Sequence, residues 1–406
     1  MQHEWREGNR VILLPEASRF LPAMFEAVSQ AQHYVLVELY LMESGELANQ
    51  VIDALAAATR RGVKTYLLLD GYGAMGLERS DRERLQAAGV ALQLFNPIGF
   101  HSLARNLSRD HRKIVVVDGE VAFTGGFGAV DEFLEAWYEI AARVEGPVVA
   151  DWEALFRRLW CSRLTRYASP QGPRLVLPEA RVAEPHEEGV RGRVISGRGY
   201  RYQAIRHSLY ARVHQSRQRL WLCTPYFVPT FALRRRLIRA AQRGVDVRLL
   251  LPGAKHDHPG VRYAGQRFYQ GLLRAGVRIF EFQPTFIHAK FVLADEWVSL
   301  GSCNFDHWNL HWNLEANQEI EDSAFACEVQ ALFERNFAAS QEVDAHAWAA
   351  RPWWQRAREW VYGAPDYLCT KNVFCKKYIL FVKVHRKSPI HILSEIKFPA
   401  FWHYFY

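Results

Sequence analysis

The stretch HRKIVVVD, residues 111 to 118, returns as HAKFVLAD, residues 288 to 295. In both, a lysine follows a histidine by two positions and an aspartate follows it by seven. Up to residue 369 the chain has four lysines (Lys64, Lys113, Lys255, Lys290) against 40 arginines, so half of those lysines sit in this pattern. A chain that otherwise writes arginine has kept lysine here. On an extended strand, positions i and i+2 point to the same face, so His111 projects with Lys113 and His288 with Lys290. The apolar runs IVVV and FVLA predict buried strands that hold these groups rigidly. The odd offset of the aspartates places Asp118 and Asp295 at the bend that ends each strand, and with the two His-Lys pairs they make up the candidate catalytic set His111, Lys113, Asp118, His288, Lys290 and Asp295.

The motif belongs to a longer duplication. AATRRGVKTYLLLDG (57–71) resembles IRAAQRGVDVRLLLPG (238–253), and LQAAGVALQLFNP (85–97) resembles LLRAGVRIFEFQP (272–284). Each reads as a helix end, a glycine stop and an apolar strand. YVLVELYL (34–41) pairs with LWLCTPYF (220–227) as an earlier strand. After each motif comes a glycine turn, TGGFG (124–128) and LGSCN (300–304). Glu139 lies 14 residues beyond Gly125, and Glu315 lies 14 beyond Gly301. Each half thus offers His, Lys, Asp, a glycine turn and Glu in one order. Alternating strands and helices predict an α/β architecture: two lobes, each a mixed sheet flanked by helices, related by a pseudo-two-fold around one shared site. The expected boundaries are 1–165 for the first lobe, a Pro/Gly/charge-rich connection over 166–192, 193–345 for the second lobe, and an aromatic and basic C-terminal segment over 346–406.

Composition limits the function classes. The net charge of +8 suggests nucleic acid, but residues 370–406 carry +6 of it, leaving the body at +2. A nuclease with a basic groove is therefore disfavoured, and no nucleic-acid partner is expected. That tail holds six of the ten lysines and one arginine, Arg386. Its usage fits either a segment of different origin or a membrane-contacting tail. Six cysteines without CxxC spacing suit a reducing compartment and offer no zinc site. No apolar run approaches 18 residues, and the start MQHEWREGNR lacks the apolar core of a signal peptide.

Two histidines and two lysines brought together by a pseudo-two-fold suit a phosphodiester. The ammonium groups neutralise its equatorial oxygens, one neutral imidazole attacks phosphorus, and the other gives a proton to the leaving oxygen. Lysine serves better than arginine as a compact charge beside a small tetrahedral centre. Such a site calls for neither metal nor other cofactor. Glu139 and Glu315 are better placed than the aspartates to hold a histidine Nδ1–H, which leaves Nε2 with a lone pair. Gly125, Gly126, Gly301 and Ser302 form the turns, and Asn304 ends the second of them.

These motifs, HxKxxxxD followed by a GSxN-like turn, resemble the phospholipase D superfamily over about residues 6–345. DGYGA (70–74), EGPVV (145–149), PYFVP (225–229) and NFDHWNLHWNLEAN (304–317) are most similar to bacterial cardiolipin synthases without membrane-spanning helices. The resemblance implies transfer of a phosphatidyl group between two phosphatidylglycerol molecules. His111 would become phosphohistidine, and His288 would protonate the departing glycerol and then deprotonate the acceptor hydroxyl. It also implies peripheral attachment to the cytoplasmic face of the inner membrane. The resemblance further implies two side-chain amides near the phosphate: Asn304 keeps one, and Gly128 stands where the pattern has the other Asn. The alternatives are a phospholipase D or another phosphodiesterase or nuclease of the same superfamily, and an inactive lipid-binding scaffold. WAARPWWQRAREWVYG (348–363) reads either as an interfacial helix or as a helix docking its tryptophans on the body. Arg105 and Arg109, in the loop before the first motif, are candidates to meet anionic headgroups.

Overall fold

The computed structural model describes residues 3–98, 108–168, 172–177, 183–198, 202–306 and 313–370. In the first half the strands are β1 (Arg6–Pro15), β2 (Tyr34–Leu39), β3 (Lys64–Asp70), β4 (Ala91–Phe95), β5 (Ile114–Val117), β6 (Val121–Gly125), β7 (Trp137–Tyr138) and β8 (Ile140–Glu145). In the second they are β9 (Val190–Arg198), β10 (Tyr202–Gln203), β11 (Arg219–Cys223), β12 (Asp246–Pro252), β13 (Arg278–Phe282), β14 (Phe286–Ile287), β15 (Phe291–Ala294), β16 (Trp297–Gly301), β17 (Leu314–Glu321) and β18 (Ser340–Glu342).

β2, β3 and β4 run parallel, joined through the helices Glu46–Arg60 and Arg79–Ala87. The first of these helices buries Leu47, Ala48, Ile52, Leu55 and Ala56 along one stripe. It gives way to β3 through Gly62, whose φ of 92° is the left-handed conformation that glycine adopts without strain. β2 is buried at every position because layers cover both of its faces, which is why it reads as an unbroken apolar run apart from Glu38. β5 then pairs antiparallel with β2, β6 with β5 and β8 with β6. The second half repeats this order with β11, β12, β13, β15, β16 and β17.

The lobes are less separate than the repeat suggests. All strands but β7 and β14, which pair with each other, form one continuous sheet in the order β18-β13-β12-β11-β15-β16-β17-β9-β1-β8-β6-β5-β2-β3-β4, with β10 beside β9. Its seam is the antiparallel pair β1–β9, which Asn9 fastens by giving its amide to the carbonyls of Arg6 (2.7 Å) and Val190 (3.1 Å) and accepting from Val148 N–H (2.9 Å). The helices Val149–Trp160 and Ser323–Ala338 feed one apolar core that runs across the seam. Within it the Trp152 indole donates to Gln318 at 2.9 Å. The connection is also shorter than the 166–192 expected from composition: the helix Arg163–Ala168 precedes it, and β9 already begins at Val190. Gly192 sits opposite Arg6 on this seam, so pairing along the sheet overrides the Pro/Gly signal there.

Candidate active site

β5 and β15 occupy equivalent places in the sheet, and each motif histidine and lysine lies on the extended approach to its strand. His111, Lys113, His288 and Lys290 are all buried. The side chains that orient the histidines come from the opposite lobe. His288 gives its backbone N–H to Tyr138 O (2.8 Å), and its Nδ1 lies 2.7 Å from the next residue, Glu139. His111 gives its backbone N–H to Leu314 O (2.9 Å), and its Nδ1 lies 2.9 Å from the next residue, Glu315. The geometry arises from short cross-lobe pairings, β14 with β7 and the isolated bridge of Asp110 with Leu314. An Nδ1–H donated to a carboxylate fixes the ring and leaves Nε2 with its lone pair.

Lys113 Nζ donates to the His111 carbonyl at 2.6 Å, while Lys290 Nζ lies 3.3 Å from Glu139 and also reaches the His288 carbonyl. Burial pushes Lys113 down to about 7 and also lowers Lys290. Burial, reinforced by the lysines, puts both imidazoles well below their usual range, so both are neutral at pH 7. Glu139 is raised by burial to about 7, against the pull of Lys290, and Glu315 is raised well above its ordinary value for the same reason. An arriving phosphodiester would restore full charge to the lysines, since an adjacent anion favours the ammonium form.

The turns differ between lobes. A side chain at Gly126 would place its Cβ 2.1 Å from Glu139 Oε2, so only glycine leaves room for that carboxylate. At the matching position Ser302 instead donates its hydroxyl to Glu315. Gly128 lies against the segment that follows β2, where a Cβ would come 2.9 Å from the Leu41 carbonyl, which accounts for the missing asparagine. Asn304 is buried, and its Oδ1 has no partner among the described residues. Gly125 and Gly301 end β6 and β16 where the following strand passes close behind.

Asp118 and Asp295 do not join the histidines, which corrects their expected place among the reacting groups. Each lies beyond the far end of its strand in the left-handed region, with φ of 54° and 52°. Asp118 accepts from the backbone N–H of Gln32, His33 and Tyr34, and Asp295 from those of Arg217, Gln218 and Arg219. They cap the turn that precedes β2 and β11. Arg109 is buried rather than exposed to headgroups, and its Nη1 lies 3.4 Å from Asp70. Arg105 and the tail beyond Thr370 lie outside the described residues.

Aromatic rings complete the walls. Tyr40 stands edge-on to His111 at 4.9 Å, its repeat partner Tyr226 edge-on to His288 at 6.3 Å, and Trp137 stacks on His288 at 4.8 Å. The sequence reading assigned these three no role. The alignment of YVLVELYL with LWLCTPYF already paired the two tyrosines, but Trp137 had no counterpart to mark it. The helix Trp353–Thr370 packs on the helix Pro259–Gln266. Trp348 docks on Tyr269 beneath Arg351, whereas Trp353, Trp354, Val361 and Tyr362 are exposed. Among the described residues, no helix is long and apolar enough to cross a membrane.

A family model described as "Cardiolipin synthase, PLD-like domain" matches residues 24–160 and 209–337, once per lobe. The chain is 31% identical over 364 residues to cardiolipin synthase A of Shigella boydii and of Escherichia coli K12, covering 87% of this chain and 74% of theirs. The fold is similar to a phosphatidylserine synthase from Haemophilus influenzae (TM-score 0.69, 14% identity, 94% of this chain and 96% of that one). It is also similar to a polyphosphate kinase from Porphyromonas gingivalis (TM-score 0.56, 16% identity, 83% and 49%). The duplicated motif, the matched lobes and the cross-lobe site agree: the chain belongs to the cardiolipin synthase family of the phospholipase D superfamily, a family of phosphatidyltransferases.

Proposed function

We propose that the protein condenses two phosphatidylglycerol molecules into cardiolipin and glycerol through a phosphohistidine. The observation that carries this reading is the pair of Nδ1-anchored histidines beside two buried lysines. His111 Nε2 forms a bond to phosphorus while the bond from phosphorus to the glycerol oxygen breaks. That oxygen takes the Nε2 proton of His288, which the imidazole, neutral in the empty site, acquires once the anionic phosphodiester sits beside it. In the second half-reaction His288 Nε2 accepts the proton of an acceptor hydroxyl, whose oxygen displaces His111 from phosphorus. Lys113 and Lys290 hold the non-bridging oxygens throughout.

Water would serve the same chemistry and give hydrolysis, so the acceptor decides between synthase and phospholipase. Incubating purified protein with vesicles of labelled phosphatidylglycerol and separating the lipids tests this. Cardiolipin and free glycerol in equal amounts support the reading; phosphatidic acid as the main product would replace it. The exposed Trp353, Trp354 and Tyr362, interleaved with Arg356, suit peripheral contact with an anionic lipid surface. The cytoplasmic face of a bacterial inner membrane fits the reducing habit of the cysteines.

A further inference from the structure

The two lobes depart from their repeat in the charges beside each histidine. In the first lobe the residues before and within the motif are Arg109, Asp110 and Arg112; their counterparts in the second are Phe286, Ile287 and Ala289. The first-lobe charges are paired among themselves: Arg112 with Glu38 (2.8 Å) and Asp110 (3.0 Å), Arg109 with Asp70. The loop that leaves the end of β12 carries Lys255-His256-Asp257-His258, whereas its counterpart after β3, residues 71–77, has no charged residue.

Asp257 is fixed on both oxygens. Its Oδ2 accepts the Tyr226 hydroxyl, and its Oδ1 accepts the His258 backbone N–H at 2.7 Å and lies 3.0 Å from His256 Nδ1. His258 Nε2 stands 3.8 Å from Oδ2. Among the described residues its ion pairs are with these two histidines. One aromatic layer separates it from His288: the His256 ring lies 5.0 Å from Phe286, Phe286 lies 5.8 Å from His288, and Tyr226 reaches His288 edge-on.

We propose that Asp257, held by Tyr226, His256 and His258, is a positioning residue that favours the protonated form of His288, so that the second-lobe histidine is the acid and His111 remains the free nucleophile. The groups facing His288 are Glu139 and Trp137 from the first lobe, Lys290 on its own strand, Lys113 and His111 across the site, and Tyr226, His256 and Asp257 from the loops after β11 and β12. The charges acting most on His111, those of Lys113, Lys290 and His288, all lower it. On His288, burial, Lys290, Lys113 and His256 lower it, and Asp257 works the other way. Asp257 stays ionised throughout: burial opposes its charge, but His256, His258 and Tyr226 outweigh that and bring it to about 2.

The consequence for catalysis rests on the transfer reaction proposed above, but the protonation order is measurable without substrate. Histidine-labelled protein titrated by NMR, with His111→Asn and His288→Asn used for assignment, should show His288 taking its proton at a higher pH than His111. The reverse order in the wild-type chain overturns the proposal whatever the substrate. Asp257→Asn should lower the His288 midpoint by about one pH unit, leave that of His111 in place, and shift the alkaline limb of kcat by the same amount with KM little changed. Asp257→Glu should restore both. A purely structural role would instead lower kcat equally at all pH values and leave the His288 titration unmoved. Failure of the wild type to transfer phosphatidyl groups, with the titration order as expected, would count against the reaction and not against this assignment.

Discussion

Glu139 and His288 lie 149 residues apart in the chain and 2.7 Å apart in space, one in each lobe. Glu315 and His111, 204 residues apart, mirror them. Each lobe therefore supplies the histidine of one half-site and the carboxylate of the other.

Exchanging these carboxylates for amides should separate the two chemical roles. Glu315→Gln should suppress formation of the covalent adduct, because it misorients the nucleophile. Glu139→Gln should spare substrates with an acidic leaving group such as p-nitrophenol, which need no proton. On phosphatidylglycerol both should lower kcat by roughly 10²–10⁴-fold, the range seen when a histidine loses its orienting carboxylate. Equal loss on both substrate types for Glu139→Gln would show that it does more than serve the acid.

His111→Ala and His288→Ala should each abolish turnover. With His288→Asn and a substrate whose leaving group is as acidic as p-nitrophenol, the phosphatidyl adduct should accumulate on His111, since that leaving group needs no proton but the hydroxyl of the acceptor cannot be deprotonated. Mass spectrometry of the acid-labile phosphohistidine locates it. An adduct on His288 in the wild-type protein would reverse the roles.

Transfer should survive EDTA, with Lys113 and Lys290 supplying the positive charge. Lys290 is fully buried, so Lys290→Arg should fail to fit and reduce activity as severely as Lys290→Met. Loss of activity on chelation, restored by one particular divalent ion, would sink the mechanism as drawn.

Binding should depend on pH through Lys113. Burial holds it near 7 in the empty site, and an anionic phosphodiester raises it, so binding takes up a proton. The added affinity is fully present below pH 7 and fades as pH rises above it. Calorimetry of His111→Asn with short-chain phosphatidylglycerol should show affinity falling by up to about tenfold per pH unit above 7. Proton uptake should be visible in buffers of different ionisation enthalpy. Affinity that is flat from pH 7 to 9 would mean that the lysine is already charged in the empty site.

Trp353→Ala combined with Trp354→Ala should weaken binding to phosphatidylglycerol vesicles while leaving the thermal midpoint nearly unchanged, because both side chains are exposed. Trp348→Ala should do the opposite, since its ring packs on Tyr269. A chain ending at Thr370 should stay folded and active on detergent-dispersed substrate. Its vesicle affinity should fall modestly if the lysines of the tail touch the lipid, and added salt should erase the difference.

The sequence by itself determined the duplication, the α/β layering, the two His-Lys pairs and the family, because these are carried by local pattern: strand periodicity, glycine stops and a spacing repeated in order. It also placed both glutamates near the histidines. Only the tertiary structure decided which glutamate serves which histidine, for that hydrogen bond spans lobes whose internal order is the same in either pairing. Local reasoning likewise left the aspartates near the chemistry. The fold carries them to the far end of β5 and β15, where three backbone N–H groups compete successfully for each carboxylate. The separate lobes expected from the repeat became one sheet because β1 and β9 would each otherwise present an unpaired edge along the seam. The charge that distinguishes His288 from His111 comes from a loop whose counterpart after β3 has no charged residue, and only the fold shows that this loop lies beside the site.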